Sequence, residues 1–174
     1  MTTLFDECFA IVVGIEGVLS LDPNDPGNWS GGHIGVGTLI GTKYGVAAAY
    51  HPGLDIPNLT LAQAEEIHIQ GYWSPAGCVF LPDRAALVAY DCAVNQGVEV
   101  AITLFQKACG ITADGVVGAA TKQAFGSVTP YHIAHFLALR AERYVTLKGF
   151  AADGDGWLSR LFTVSLAPIS GDST

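Results

Sequence analysis

A long glycine-rich stretch follows an apolar segment near the start of the chain. Residues 20–41 combine closely spaced glycines with Pro23 and Pro26, and their β-capable pieces are short, such as His33-Ile-Gly-Val. Glycine and proline disfavour helix interiors, so the preceding helix cannot continue through this stretch. A segment this long inside a compact domain is usually functional. We therefore expect a small glycine-rich β-lobe at about 20–45.

Helical patterns surround this lobe. Apolar spacing predicts a first helix at about 3–19, with Gly17 loosening its end. A capping box, Thr60-Leu-Ala-Gln, predicts a helix that runs to about Gln70. An almost wholly apolar run, 82–95, predicts a central helix ending at Gly97. Further helices are predicted at 99–109, 119–125 and 130–148. The expected fold is α+β, mainly α, with the β-lobe inserted after the first helix.

Charge and composition limit the partners. The 174 residues carry a net charge of −8 with eight basic residues that form no cluster, so no nucleic acid is expected. The apolar run from Cys8 to Leu21 is short and contains Glu16, so neither membrane insertion nor a signal peptide is expected. Four cysteines without metal-binding spacing predict buried free thiols. We expect a monomer made in the cytoplasm, without metal or cofactor.

Glu16 and Asp25 are two carboxyl groups in contrasting settings. Glu16 is expected at an apolar helix end, where burial and the helix dipole raise the pKa of a carboxyl group. Asp25 falls in a hydrated turn and should be ionised. A protonated acid near a carboxylate suggests glycoside hydrolysis. Glu16 could instead be a partly exposed helix-end residue, and Asp25, like Asp22, could simply form a turn.

Ordered motifs along the chain resemble the glycoside hydrolase family 108 muramidases, which are phage and prophage endolysins with a lysozyme-like fold. The family pattern E-G-G-x-x-x-D-P-x-D-P-G-G is similar to residues 16–28, although Val18 replaces the second glycine. The stretch between Asp25 and Thr42 is longer than in the shortest family pattern. The other matches are Thr42-Lys-Tyr-Gly-Val46, Leu59-Thr60 to Ala64 with Tyr72-Trp73, Asp91 to Gly97, Gln106 with Asp114 to Thr121, and Gly156-Trp-Leu-Ser-Arg160.

The resemblance implies a catalytic set of Glu16, Asp25 and Thr42. Glu16 would protonate the leaving glycosidic oxygen, Asp25 would stabilise the cationic centre or activate water, and Thr42 would position that water. Ser30 is the alternative hydroxyl, because it lies near the shorter family spacing from Glu16. The implied substrate is the β-1,4 bond between N-acetylmuramic acid and N-acetylglucosamine in bacterial peptidoglycan.

Five further residues are candidates for substrate binding. Trp29 could line the glycan or anchor its loop, and Asn95 could hold an N-acetyl group or cap a helix. The remaining three are Tyr44, Tyr72 and Trp73, and the last of these could equally belong to the core. Asp153-Gly-Asp-Gly lacks the other ligands of a calcium loop, so a solvated turn is expected there.

The resemblance also suggests an organisation and a site of action. Residues 1–95 would form the catalytic part, 96–165 a helical lobe resembling peptidoglycan-binding modules, and 166–174 a tail. The enzyme would act on the cell wall after release from the host cytoplasm, with the help of a holin. Two alternatives remain open: a lytic transglycosylase, and a non-catalytic peptidoglycan-binding or virion protein.

Overall fold

The computed structural model describes residues 2–14 and 17–171. The α-helices of this part are α1 (Leu4–Val12), α2 (Leu61–His68), α3 (Asp83–Gln96), α4 (Val98–Ala108), α5 (Ala119–Phe125), α6 (Pro130–Thr146) and α7 (Phe150–Leu166). Strands β1 (Thr42–Lys43) and β2 (Val46–Ala47) pair antiparallel. Short 3₁₀ turns span Pro26–Asn28, Ala48–Tyr50 and Cys78–Phe80, and a π-helical turn spans Ile69–Trp73. The predicted α+β fold, mainly helical with a small β-lobe, is confirmed.

Backbone contacts divide the chain into two compact units. We call Met1–Val12 with Gln70–Thr174 the helical unit, and Val13–Ile69 the loop-rich unit. The predicted organisation into a catalytic part at 1–95 and a second lobe at 96–165 is untested and stays a prediction. Among the described residues, no helix combines the length and hydropathy needed to span a bilayer.

Helix α3 is the centre of the helical unit. Every residue from Ala85 to Ala93 is buried, as the apolar run predicted. Beside it, the rings of Phe5, Trp73 and Tyr90 meet edge to face, with centroids 5.5 to 5.9 Å apart. Such contacts add stability beyond the burial of their surface. The four cysteines are unpaired and three of them are buried, which confirms the expected free thiols.

Asp91 on α3 binds two arginines in the interior. Its carboxylate lies 2.6 Å from Arg140 Nη1 and 2.7 Å from Arg160 Nη2. Asp91 and Arg140 are both buried, whereas Arg160 is partly exposed. Arg160 Nη2 also donates to the carbonyl of Val12 at 3.2 Å. One carboxylate therefore connects α3 with α6 and α7, and through Arg160 with the last residue of α1.

The first helix is shorter than predicted. Helix α1 ends at Val12 rather than near residue 19, because Gly14 adopts a left-handed conformation with φ of +85°. A glycine in this conformation just beyond the last helical residue is a common helix terminator. The side chain of Arg160 binds the terminal carbonyl of Val12, which no local pattern indicates.

The prediction of a solvated turn at Asp153–Gly156 is wrong, because these residues lie within α7. Gly149 precedes this helix at φ of +95°, and its carbonyl accepts hydrogen bonds from Ala152 and Asp153. Gly154 is buried against the ring of Phe150, where a Cβ atom would come within 2.7 Å. Each glycine costs a helix about 1 kcal/mol relative to alanine. Tertiary packing on this face outweighs that cost.

Replacing Asp91 by alanine should destabilise the protein by about 3–5 kcal/mol, because Arg140 would be left buried without its carboxylate. Denaturant unfolding of the wild type and of Asp91→Ala measures this loss. Arg143→Ala is the control on the same helix as Arg140: its Nε donates to Gln96 Oε1 from a half-buried position, and about 1 kcal/mol is expected. Equal losses in both variants would contradict the central role of Asp91.

Candidate active site

Thr42 lies between two backbone pairings in the loop-rich unit. Its N–H donates to Ser20 O at 3.0 Å, and its carbonyl accepts from Ser20 N at 2.8 Å. On its other side, β1 pairs Thr42 with Ala47 of β2. The hydroxyl oxygen of Thr42 is buried and has no hydrogen-bond partner among the residues described. The backbone thus fixes Thr42 while its side-chain hydroxyl remains unused.

Asp25 begins the short 3₁₀ turn that packs against this strand pair. Its Oδ1 accepts the Gly27 N–H at 2.8 Å, so the turn-forming role considered for Asp25 is present. A carboxylate has two oxygens, and this contact uses one of them. A Cβ atom on Gly27 would lie 3.5 Å from that of Ala47, the strand partner of Thr42. The structure therefore places the Asp25 turn against the strands that hold Thr42.

Asp22 forms the neighbouring turn. Its Oδ1 accepts from the backbone N–H of Asn24 at 2.9 Å and from the side-chain amide of the same residue at 3.1 Å. The expected turn-forming role of Asp22 is confirmed.

Asn28 was included in the sequence motif but assigned no role. It is completely buried, and its Nδ2 donates to Asp22 O at 3.0 Å. Its backbone carbonyl accepts from the N–H groups of Ile40 and Gly41 at 2.9 and 3.0 Å. The one sign in the sequence that this position is unusual is that Asn28 stands where the family pattern has glycine. The side chain gains its importance from tertiary contacts.

Glu16 and Ile15 lie outside the described residues, so the expected setting of Glu16 is untested. The next residue, Gly17, has φ of +61°, and a Cβ atom there would overlap the ring of Tyr44. Tyr44 itself has φ of +50°, a strained conformation for a residue with a side chain. The backbone of Gly17 is thus held under an aromatic ring.

A buried histidine supports this strained residue. His68 is completely buried and its Nε2 lies 3.0 Å from the carbonyl oxygen of Tyr44. Burial lowers the pKa of His68 to about 4. The ring is therefore neutral near pH 7, and a proton on Nε2 would be donated to the Tyr44 carbonyl.

Trp29 and Ser30 hold the start of the glycine-rich excursion. The Trp29 indole N–H donates to Pro23 O at 2.9 Å, and Trp29 pairs with Leu39 through an antiparallel bridge. Ser30 Oγ accepts from Thr38 N at 2.9 Å. The loop-anchoring alternative for Trp29 is therefore present in the structure, and the Ser30 hydroxyl is occupied by a turn contact.

The other three predicted binding residues belong to the helical unit. Trp73 is buried among Phe5 and Tyr90, as expected of a core residue, and Tyr72 is half-buried. Asn95 is exposed, and its Oδ1 accepts from the Tyr144 hydroxyl at 3.1 Å. Asn95 thereby joins the polar network that includes Arg140, whose Nη2 donates to the same hydroxyl.

The motif that resembles peptidoglycan-binding modules forms a network of its own. Gln106 is buried, and its Nε2 lies within 3.0 Å of Asp114 Oδ1, Val116 O and Thr121 Oγ1. Its Oε1 accepts from Gly115 N at 2.9 Å. The polar groups of this motif bind one another, so their contacts stabilise the turn before α5.

The described residues contain no group of three or more His, Cys, Asp or Glu side chains placed to bind a metal. The site is thus built from a carboxylate turn, a buried hydroxyl and a strained loop on a largely helical lysozyme-like fold. A carboxylate beside a hydroxyl that can position water is the kind of arrangement that glycoside hydrolysis uses.

Comparison with known proteins identifies the family. Residues 9–97 match the family model described as Glycosyl hydrolase 108, and the chain belongs to this family. It is a glycoside hydrolase, and peptidoglycan is the substrate that membership implies. Among solved structures, the chain resembles Brucella abortus SagA, with 26% identity, a TM-score of 0.75 and coverage of 92% of this chain and 91% of that chain. A search of curated proteins found no significant match.

Gly17→Ala should cost at least about 2 kcal/mol more than Gly14→Ala. Both glycines have positive φ, so alanine strains the backbone at each position. A Cβ atom at Gly17 would also overlap the Tyr44 ring, whereas none of the described atoms lies within 4 Å of one at Gly14. Urea unfolding of the two variants separates strain from overlap. Similar losses of unfolding free energy in both variants would contradict the prediction and show that the Tyr44 ring moves aside at little cost.

His68 should make the protein less stable as the pH falls. Its pKa is lowered from 6.5 to about 4 by burial, so the unfolded chain binds this proton more tightly. The contribution of neutral His68 to the free energy of unfolding is complete above pH 6.5 and is lost as the pH falls through about 4. This contribution is about 3 kcal/mol at most. Melting temperatures across this range should fall less steeply in His68→Gln than in the wild type. His33→Gln, at an exposed histidine, should keep the wild-type slope; equal slopes in all three would contradict the assignment.

Proposed function

We propose that this protein is an endolysin-type muramidase. It hydrolyses the β-1,4 bond between N-acetylmuramic acid and N-acetylglucosamine in bacterial peptidoglycan. The observation that carries the proposal is the packing of the Asp25 turn against the strands that hold the unused Thr42 hydroxyl. Both residues and Glu16 fall inside the segment that matches the glycoside hydrolase family.

The proposed reaction assigns one role to each of these residues. Glu16 donates its proton to the glycosidic oxygen as the bond from that oxygen to the anomeric carbon breaks. The positive charge that develops on the sugar is stabilised by the Asp25 carboxylate, or Asp25 takes a proton from the attacking water. Thr42 orients the water through its hydroxyl. Addition of this water gives a new reducing end, and the Glu16 carboxylate can recover a proton for the next cycle.

The hydrogen bonds favour Thr42 over Ser30 as the third member. Ser30 Oγ accepts from Thr38 N and has a defined part in the turn. Thr42 Oγ1 is buried without a partner among the described residues. An unpaired buried polar group is costly, so its presence suggests a functional purpose. Orienting a reacting water is such a purpose.

Substrate binding follows from the same proposal. Trp29 is half-buried, and its indole nitrogen is fixed to Pro23, so its ring is held rigidly enough to stack on a sugar. Tyr44 is assigned to the substrate on its position two residues beyond Thr42. Tyr72 and Asn95 remain candidates for sugar contacts. Trp73 is buried in the helical unit, which favours a core role.

Peptidoglycan lies outside the cytoplasmic membrane, so the enzyme must reach it after synthesis. We place its synthesis in the host cytoplasm and its action on the cell wall, with release through a holin. Expression in a bacterial host with and without a co-expressed holin tests this part. Lysis in both cultures would exclude dependence on the holin.

Glu16→Gln should lower the release of reducing ends from purified peptidoglycan by about a hundredfold or more, because glutamine has no proton to donate. The control Glu142→Gln changes an exposed glutamate on α6 and should retain wild-type activity. Circular dichroism checks that both variants fold. Release of reducing ends by a folded Glu16→Gln protein would contradict the assignment.

Mass spectrometry of the released fragments separates the alternatives. Hydrolysis adds a water, whereas a lytic transglycosylase forms an anhydro sugar that is lighter by one water. Anhydro products would replace the proposed hydrolysis by transglycosylation. Binding to cell wall without any release of reducing ends would identify a non-catalytic protein.

A further inference from the structure

Asn28 is a buried polar residue in the most exposed part of the loop-rich unit. Its exposure is 0%, although residues 21–26 before it and most of residues 30–38 after it are exposed. Burying an amide side chain is unfavourable unless its hydrogen bonds are replaced. Its partners therefore indicate why the chain keeps an asparagine at this position.

Asn28 connects three segments that are separate in the sequence. Its Nδ2 donates to Asp22 O at 3.0 Å and lies 3.5 Å from Ser20 Oγ. Its backbone carbonyl accepts from Ile40 N and Gly41 N. Its own N–H donates to Asp25 O at 3.2 Å. One residue thus binds the Asp22–Asp25 turn, the Ser20 segment and the segment that enters β1.

These contacts converge on Thr42. Gly41, which Asn28 holds through its carbonyl, is bonded directly to Thr42, and Ser20 pairs with Thr42 by two backbone hydrogen bonds. The 3₁₀ turn that ends at Asn28 begins at Asp25. Asn28 therefore lies at the junction between the two proposed partners of Glu16, without itself being one of them.

The length of the intervening excursion explains the need for such a junction. Between Asn28 and Ile40, the chain makes a glycine-rich excursion closed by the Trp29–Leu39 bridge and the Ser30–Thr38 contacts. Closing a longer loop costs more conformational entropy. The backbone carbonyl of Asn28 closes the base of the excursion by binding Ile40 N and Gly41 N. The side-chain amide of Asn28 connects that base to Asp22. A glycine, which the family pattern has at this position, has no side-chain amide to make this contact.

The side-chain contacts, to Asp22 O and Ser20 Oγ, are made by the NH₂ group of the Asn28 amide. Asn28 Oδ1 is buried and has no hydrogen-bond partner among the described residues. Aspartate has nearly the same size as asparagine but, when ionised, cannot donate. An aspartate substitution therefore tests donation separately from volume.

We propose that Asn28 is a positioning residue for the reaction, and that it fixes the Thr42 strand relative to the Asp25 turn. This inference rests on the proposed hydrolysis. Displacements of about 1 Å in a catalytic arrangement can cost on the order of a hundredfold in rate. Loss of the amide should therefore reduce turnover more than it reduces substrate binding.

Kinetics and hydrogen exchange together test the proposal. In Asn28→Ala and Asn28→Asp, kcat on soluble peptidoglycan fragments should fall by about tenfold to a hundredfold, with KM changed by less than about threefold. The backbone amides of Ser20 and Thr42 should exchange at least about tenfold faster, while those of α3 keep their wild-type rates. Rates are measured well below the melting temperature and expressed per folded molecule.

Asn58→Ala is the matched control, because Asn58 is an exposed asparagine of the same unit that donates to Asp55 Oδ2. It should leave kcat and both exchange rates unchanged. Wild-type kcat in Asn28→Ala, or wild-type exchange at both amides, would overturn the inference. A wild-type protein that releases no reducing ends would instead overturn the proposed function and this inference with it.

Discussion

The helical unit depends on one buried carboxylate. Asp91 binds Arg140 and Arg160, and Arg160 extends to the terminal carbonyl of α1. Removing charges from water is costly, so such a group is stable only when every partner is in place. The same network reaches Asn95 through the Tyr144 hydroxyl. Two motifs that are distant in the sequence, Asp91 to Gly97 and Gly156 to Arg160, therefore serve one connected structure.

The loop-rich unit is stabilised differently. Its glycines adopt left-handed conformations at many turns, Tyr44 is strained, and a buried histidine lies against the Tyr44 carbonyl. Strain of this kind persists only where surrounding contacts enforce it, and it is common at functional sites. Asn28 and the Ser20–Thr42 pairing supply such contacts around the proposed catalytic strand. A site built on backbone hydrogen bonds is organised before substrate arrives, which favours catalysis.

The motif at Gln106 to Thr121 resembles a binding module in sequence, but its polar side chains have structural contacts within the motif. In sequence it is similar to a peptidoglycan-binding module. In the structure its glutamine binds both its aspartate and its threonine, and the three side chains also bind three backbone groups, Gly115 N, Val116 N and Val116 O. A buried glutamine needs all of these partners, so the motif is explained by folding alone. The wall-binding role of residues 96–165 remains a separate prediction.

Local signals in the sequence determined helices α2 to α6, because capping residues, apolar periodicity and terminal glycines act over a few residues. They also determined the mainly helical class with its small β-lobe, whereas the catalytic role of Glu16, Asp25 and Thr42 stays a prediction. The contact of Arg160 with the end of α1, the whole of α7 and the contacts of the Asn28 side chain were decided by tertiary structure. Arg160 reaches Val12 across 148 positions, and Gly154 is helical because Phe150 and its neighbours bury it. Such contacts exist only after the chain has folded, so no local pattern encodes them.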